Sequence, residues 1–190
     1  MPQEIEIKFR IENLPALARA LKRTGFKQIT RYTHEMNSLY DLPGQKLRKR
    51  GELLRLRNYG ETWVLTHKAK SKSGRHKVRV ELETPVEDGQ QTDAILRALG
   101  FEPTFRYEKY RAEWSDGKGH VVLDETPIGN FGEIEGAPRW IDRTARALGI
   151  GPGDYITQTY APMFFAWKRR THSSAMEMTF RALRKKPRTG

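Results

Sequence analysis

The chain has 190 residues, enough for one domain with a substantial core and a tail, and a formal net charge of +12. It has no cysteine, which excludes disulfides, thiolate catalysis and cysteine-ligated zinc or iron–sulfur clusters. Residues 168–190 carry a net +7 of that charge, so the body is only mildly basic and a nucleic-acid-binding surface over the whole fold is not implied.

The first element is the most informative. Glu4-Ile5-Glu6-Ile7-Lys8 alternates charged and apolar residues with period two, so a strand over 3–11 puts Glu4, Glu6 and Lys8 on one face and Ile5, Ile7 and Phe9 on the other. Asn13 is placed to cap a helix through Lys22, with Pro15 in its first turn, Gly25 past its end, and Leu14, Ala18 and Leu21 as its apolar stripe. Strand-like segments follow at 26–40, 45–48, 52–58 and 62–69, the last two joined by a turn at Asn58-Tyr59-Gly60-Glu61. A loop over 71–74 leads to a further alternating strand at 76–84. Thr92 is expected to cap a short helix ending at Gly100. Strands at 104–114 and 119–125 flank a glycine-rich turn at 115–119, and 131–136 is another strand. Asp142 is expected to cap a helix to Leu148, and residues 157–170 form a last helix whose start Pro162 limits. Many hairpin-linked strands with few helices favour an α+β fold built on an antiparallel meander, and about eight strands are enough to close a barrel.

Seven strand segments carry a charged face. Beside Glu4, Glu6 and Lys8, the same parity unites Arg55 with Arg57, Thr66 with Lys68, Arg79 with Glu81 and Glu83, Lys109 with Arg111, and Glu133 with Glu135, while Asp124 alternates with Val121 and Leu123. An ordinary sandwich would turn such faces to water. Tight Arg and Glu pairs with little Ser, Thr or Gln point instead to the inside of a barrel whose apolar outer faces are covered by the helices. Confined charges are tolerable where they pair or where a ligand completes the balance. Carboxylates in Glu-x-Glu pairs are hard oxygen ligands suited to Mg²⁺ or Mn²⁺, and Arg and Lys suit phosphate oxygens. The five histidines do not cluster at metal-ligand spacing, and His67 has the opposite parity to Lys68. Gly149-Ile150-Gly151-Pro152-Gly153 follows a helix instead of preceding one, so it reads as a connector and not a phosphate loop.

Glu4-Ile5-Glu6-Ile7-Lys8 resembles the ExExK signature of the CYTH superfamily, the triphosphate tunnel metalloenzymes, which include class IV adenylate cyclases, thiamine triphosphatases and inorganic triphosphatases. Leu54-Arg55-Leu56-Arg57, Val64-Leu65-Thr66-His67-Lys68, Arg79-Val80-Glu81-Leu82-Glu83, Lys109-Tyr110-Arg111, and Asp124-Glu125-Thr126 with Glu133-Ile134-Glu135 resemble the family's later elements in order. The resemblance covers residues 3 to about 165. It implies a closed antiparallel barrel of about eight strands with helices outside and a triphosphate in its lumen beside one or two divalent metals. By that resemblance Glu4, Glu6, Glu133 and Glu135 would hold metal, with Glu81 and Asp124 as further candidates. Lys8, Arg55, Arg57, Lys68, Arg79, Lys109 and Arg111 would hold phosphates, and Glu4, Glu6 and Lys8 would form the catalytic core. One departure is that Thr157-Gln158-Thr159-Tyr160 lacks the lysine that family members often carry before the tyrosine of the final helix.

The expected activity is metal-dependent hydrolysis of inorganic, nucleoside or thiamine triphosphate with Mg²⁺ or Mn²⁺. The alternatives are cyclisation of ATP to cyclic AMP and pyrophosphate, and a non-catalytic polyphosphate- or nucleotide-binding module. The expected partner is a small triphosphate. Nucleic acid enters only through a flexible basic tail at 168–190, following a tunnel domain at 1–167, and a homodimer is compatible. No apolar run is long enough to cross a bilayer, and a cytoplasmic location is the simplest expectation.

Overall fold

The structure is a computed structural model that describes residues 3–72 and 74–187. Its elements, in chain order, are β1 (Gln3–Ile11), α1 (Leu14–Arg23), β2 (Lys27–Asp41), α2 (Lys46–Arg50), β3 (Leu53–Tyr59), β4 (Thr62–Lys68), β5 (Lys77–Val86), α3 (Gly89–Ala98), β6 (Glu102–Ser115), β7 (Gly119–Thr126), β8 (Gly129–Gly136), α4 (Pro138–Ala147) and α5 (Tyr160–Thr171). The eight strands close into a barrel in the order β1-β5-β4-β3-β2-β6-β7-β8, every pairing antiparallel. Closure removes the free sheet edges along which chains aggregate. The α+β barrel expected from the alternation of residues is therefore the fold.

The outer faces of the strands supply the apolar core. Ile7, Phe9, Ile11, Val121, Leu123 and Ile134 pack under Leu21 of α1 and Trp140, Ile141 and Ala145 of α4. On another side Leu96 of α3 covers Tyr40 and Leu56, with Trp63 and Leu65 alongside. Burying a residue of this kind contributes roughly 1.5–3 kcal/mol, so these helices are what lets the polar faces turn inward. Gly132 sits where a Cβ would come within 2.1 Å of the Phe9 ring, so β8 can only approach that ring as glycine.

Several boundaries differ from the sequence reading. Residues 45–48 are not a strand: α2 occupies Lys46–Arg50, because the Asp41 carboxylate accepts the backbone N–H groups of Leu47 and Arg48 at 2.8 and 3.0 Å and starts a helical turn. The cap of α3 is Asp88 and not Thr92, its Oδ1 accepting from Gln90 and Gln91 at 2.8 and 2.9 Å. The helix assigned to an Asp142 cap begins at Pro138 with Ala137 as its cap, and Asp142 instead pairs with Arg75 and His76. The basic segment after residue 167 is not a separate extension over its described part. Lys168, Arg169 and Arg170 end α5, and Met178, Thr179 and Phe180 are buried. Arg188 and the two residues after it lie outside the described residues, as does Ser73 of the expected 71–74 loop.

Candidate active site in the barrel lumen

Every strand sends one parity of side chains inward, and the resulting cavity has a volume of about 510 Å³, within the ~300–1,000 Å³ range of small-molecule sites. Its wall includes Glu4, Glu6 and Lys8 of β1, Arg55 and Arg57 of β3, Lys68 of β4, Arg79, Glu81 and Glu83 of β5, Lys109 and Arg111 of β6, and Glu133 and Glu135 of β8. These are the residues that sequence parity grouped, and the barrel brings them into one space. Asp124 is the exception. It shares the inward parity of His120 and Val122 but is fully buried beneath the side chains that line the cavity, where its two oxygens take Lys109 Nζ at 2.9 Å, a bidentate Arg111 guanidinium at 2.8 Å on each side, and the Tyr160 hydroxyl at 2.6 Å.

The charges are paired in sectors. Lys68 Nζ lies 2.9 Å from Glu4 and 2.7 Å from Glu81, and Arg79 Nε donates to Glu4 at 2.8 Å. Burial opposes the charge on Glu4, but Lys68 and Arg79 outweigh it and hold its carboxyl well below the usual carboxylate range. Burial also drives the Lys68 ammonium down from its ordinary value, helped by Arg55. Burial pushes the Glu81 carboxyl up, against the pull of Lys68. Lys8 pairs with Glu133, which also receives Arg111 Nη2 at 2.6 Å; burial of Glu133 is outweighed by Lys8 and Arg111, and its carboxyl is held far down. Arg55 and Arg57 both reach Glu83, at 3.4 and 3.2 Å.

The glutamate pair of β8 behaves differently at its second member. Glu135 lines the mouth of the cavity and makes no ion pair among the described residues. The residue is exposed on the surface, yet the wall packed around its carboxyl, followed by the charges of Glu4, Glu6 and Glu133, pushes it up to about 7. This is the signature of carboxylate oxygens in excess of the cations nearby, and hard oxygen donors of this kind fit Mg²⁺ or Mn²⁺. Among the described residues no three carboxylate or imidazole groups already converge at metal-holding distance, because Lys68, Arg79, Lys77 and Lys8 occupy the oxygens of Glu4, Glu6 and Glu133.

Sequence parity missed part of the wall. Glu35 of β2 is fully buried, with Lys109 at 3.4 Å and Arg57 and Arg111 each at 3.8 Å. Burial opposes its charge, yet Lys109, Arg111 and Arg57 hold its carboxyl far below the usual range. Asn37 donates to Glu35 at 2.9 Å. No charged residue adjoins Glu35 at like parity on β2, and Lys77, which pairs with Glu6, was missed as well although it lies one pleat before Arg79. Thr159, Tyr160 and Ala161 also line the cavity, and the Lys8 ammonium lies 4.2 Å from the centre of the Tyr160 ring.

The profile of the CYTH domain matches residues 2–160. A Methanocaldococcus jannaschii protein bearing a provisional adenylate cyclase name is 27% identical over 168 residues, covering 83% of this chain and 95% of that protein. The Aeromonas hydrophila adenylate cyclase CyaB is 26% identical over 136 residues, covering 69% and 67% of the two chains. Among solved structures, the PH1012 protein of Pyrococcus horikoshii superposes with a TM-score of 0.72 at 25% identity, covering 84% of this chain and 98% of its own. A Hippeastrum protein, HpAC1, for which a dominant triphosphatase activity is described, superposes with a TM-score of 0.60 at 18% identity over 86% and 95% of the two chains.

Proposed function

The chain belongs to the CYTH family, and on that premise we propose that it is a divalent-metal-dependent triphosphatase whose substrate lies in the barrel lumen. The observation that carries this reading is the juxtaposition of eight cationic side chains, Lys77 included, with an under-compensated carboxylate in one cavity. Lys8, Arg55, Arg57, Lys68, Arg79, Lys109 and Arg111 take the phosphate oxygens, the arginines bidentately and the lysines as point charges. Their pairing with Glu4, Glu81, Glu83 and Glu133 keeps them oriented before substrate arrives, and a triphosphate draws them off those partners.

Glu4, Glu6 and Glu135 would hold Mg²⁺ or Mn²⁺ once the phosphates take up Lys68, Arg79 and Lys77, with Glu81 and Glu133 within the same wall. A bound ion would neutralise phosphoryl oxygens and lower the pKa of a coordinated water. A water oriented by one of the wall carboxylates attacks the terminal phosphorus, the bond to the bridging oxygen breaks, and orthophosphate separates from pyrophosphate or from the diphosphate ester. Lys8 and Arg111, held together by Glu133, are assigned the charge that gathers on the transferred group, which fixed cations stabilise without reorganising. Asp124 acts from beneath the cavity lining by fixing Lys109 and Arg111.

Hydrolysis is preferred to cyclisation because the aromatic rings on the cavity wall, Tyr107 and Tyr160, are packed into an apolar cluster and offer no free face to a nucleobase. Incubation with tripolyphosphate, ATP and thiamine triphosphate in Mg²⁺ and in Mn²⁺, scoring orthophosphate and cyclic AMP together, tests the reading. Orthophosphate release that Glu4→Gln abolishes supports it. Cyclic AMP as the main product would establish the cyclase named among the relatives. Binding without turnover would establish a polyphosphate-binding module.

A further inference from the structure

Residues 161–187 lie beyond the family match, yet they complete one end of the lumen. Ile156 first pairs with Lys8 through two backbone hydrogen bonds of 3.3 and 2.7 Å, on the edge of β1 that β5 leaves free beyond Glu6. α5 then sets Tyr160, Met163 and Phe164 among Leu39, Phe105, Tyr107 and Phe131. These four occupy inward positions of β2, β6 and β8, so α5 lies across the barrel end and not on its outer wall.

The chain next turns at His172, with φ of 54°, and comes back to β6. The Met178 N–H donates to the Arg106 carbonyl and the Glu108 N–H donates to the Met178 carbonyl, both at 3.0 Å. This edge of β6 is free because its pairing with β7 stops at Tyr110. The Glu108 carboxylate accepts the Phe180 N–H as well. Met178 is fully buried against the α5 cluster, Leu183 joins it, and the Lys185 ammonium covers the ring of Trp167, which stacks on Phe164. Arg181, Arg184 and Lys186 stay exposed. The segment that looks like a charged tail thus has an apolar inner side that fits one place on the barrel.

We propose that residues 172–187 are a strap that seats α5 over the barrel end and makes the tunnel one-ended. The site then takes only linear phosphate chains with a free terminal phosphate, which enters first and meets Tyr160, Lys8 and Lys109 at the closed end. This rests on the triphosphatase reading above. An α5 without its strap would expose Phe164 and Trp167 and lose the β6 hydrogen bonds, so it would open the lumen at both ends.

The test compares the intact chain with a truncation after Ser173 and with Met178→Asp. Hydrogen exchange followed by mass spectrometry should show α5 amides exchanging at least about tenfold faster in both variants, while β1 and β8 are unchanged. With Mg²⁺ and a long linear polyphosphate, the intact chain should shorten the polymer from its ends, and the variants should also release fragments of intermediate length. Undiminished α5 protection in both variants overturns the strap. Internal cleavage by the intact chain, or purely terminal cleavage after α5 is released, overturns the one-ended tunnel. An intact chain that cleaves no phosphate refutes the triphosphatase reading instead, and the exchange measurement still decides the strap.

Discussion

Glu6 and Glu135 stand directly opposite each other in the β1–β8 ladder, both turned into the lumen. Like charges in that relationship repel and weaken the strand pair. Glu6 has Lys77 as its counter-ion, whereas Glu135 has none among the described residues, and the repulsion appears as a carboxyl pushed up to about 7 by the wall packed around it and by Glu4, Glu6 and Glu133.

The first prediction concerns pH. Because the Glu135 carboxyl is raised from 4.5 to about 7 in the folded chain, the native state holds that proton more tightly than the unfolded state does. Its contribution to stability is complete below pH 4.5 and is lost as pH rises to about 7. In denaturant titrations the intact chain should therefore lose stability relative to Glu135→Gln across that window and run parallel to it above. A difference that stays constant with pH contradicts the assignment.

Divalent metal should reverse that loss. At pH 8 in the absence of phosphate, Mg²⁺ or Mn²⁺ should raise the Tm of the intact chain, by the equivalent of ~2.7 kcal/mol at a hundredfold excess over Kd. The double substitution Glu6→Gln with Glu135→Gln should abolish the increment. An equal rise in both chains would place the ion elsewhere.

Asp124→Asn should be strongly destabilising, because it leaves Lys109 and Arg111 without the fully buried charge that both contact. Breaking a buried ion pair from one side costs about 3–5 kcal/mol, which the denaturant midpoint at unchanged m-value would register. A loss below about 1 kcal/mol would mean that Glu35 and Glu133 suffice to hold the two cations.

Arg57→Ala should raise the KM for tripolyphosphate with little loss of stability, since Arg57 ends at Glu83 near the cavity mouth and its other contact, to Glu35, is long at 3.8 Å. Removing one charge-assisted contact is worth roughly 1.5–3 kcal/mol, or about a tenfold to hundredfold rise. An unchanged KM would show that substrate does not reach this part of the wall.

Gly132→Ala should destabilise the barrel by about 1–3 kcal/mol, as overpacking does, because the new methyl meets the Phe9 ring at 2.1 Å. Phe9→Leu in the same chain should recover part of the loss. No recovery would mean that the cost comes from the backbone and not from the ring.

The strand pleat was read correctly, whereas the caps assigned to Thr92 and Asp142 were not. The two-residue period of β1, β5 and β8 is a property of neighbouring residues, so the inward sides of Glu4, Glu6, Arg79, Glu133 and Glu135 follow from the pleat alone. α2 was misread because its organising group, Asp41, lies six residues before Leu47, outside any helical cap spacing. The buried Glu35 gave no local signal at all. Thr33, Asn37 and Leu39 share its face without charge, and its meaning arises only when closure brings Arg57 from β3 and Lys109 from β6 beside it.

The C-terminal segment shows the same division. Its charge can be counted from composition, and counting suggests a solvated tail. Met178 and Phe180 become anchors only because β7 ends early and leaves backbone groups of β6 to be satisfied. By itself, then, the order of residues determined the alternating strands, the inward set of charges and the family they resemble, since all three depend on near neighbours and short motifs. Closure of the sheet decided which opposite charges meet and which carboxylate is left over, and it gathered the inward apolar residues on which α5 packs. Those depend on contacts between residues far apart along the chain, whose distances exist only in the folded state.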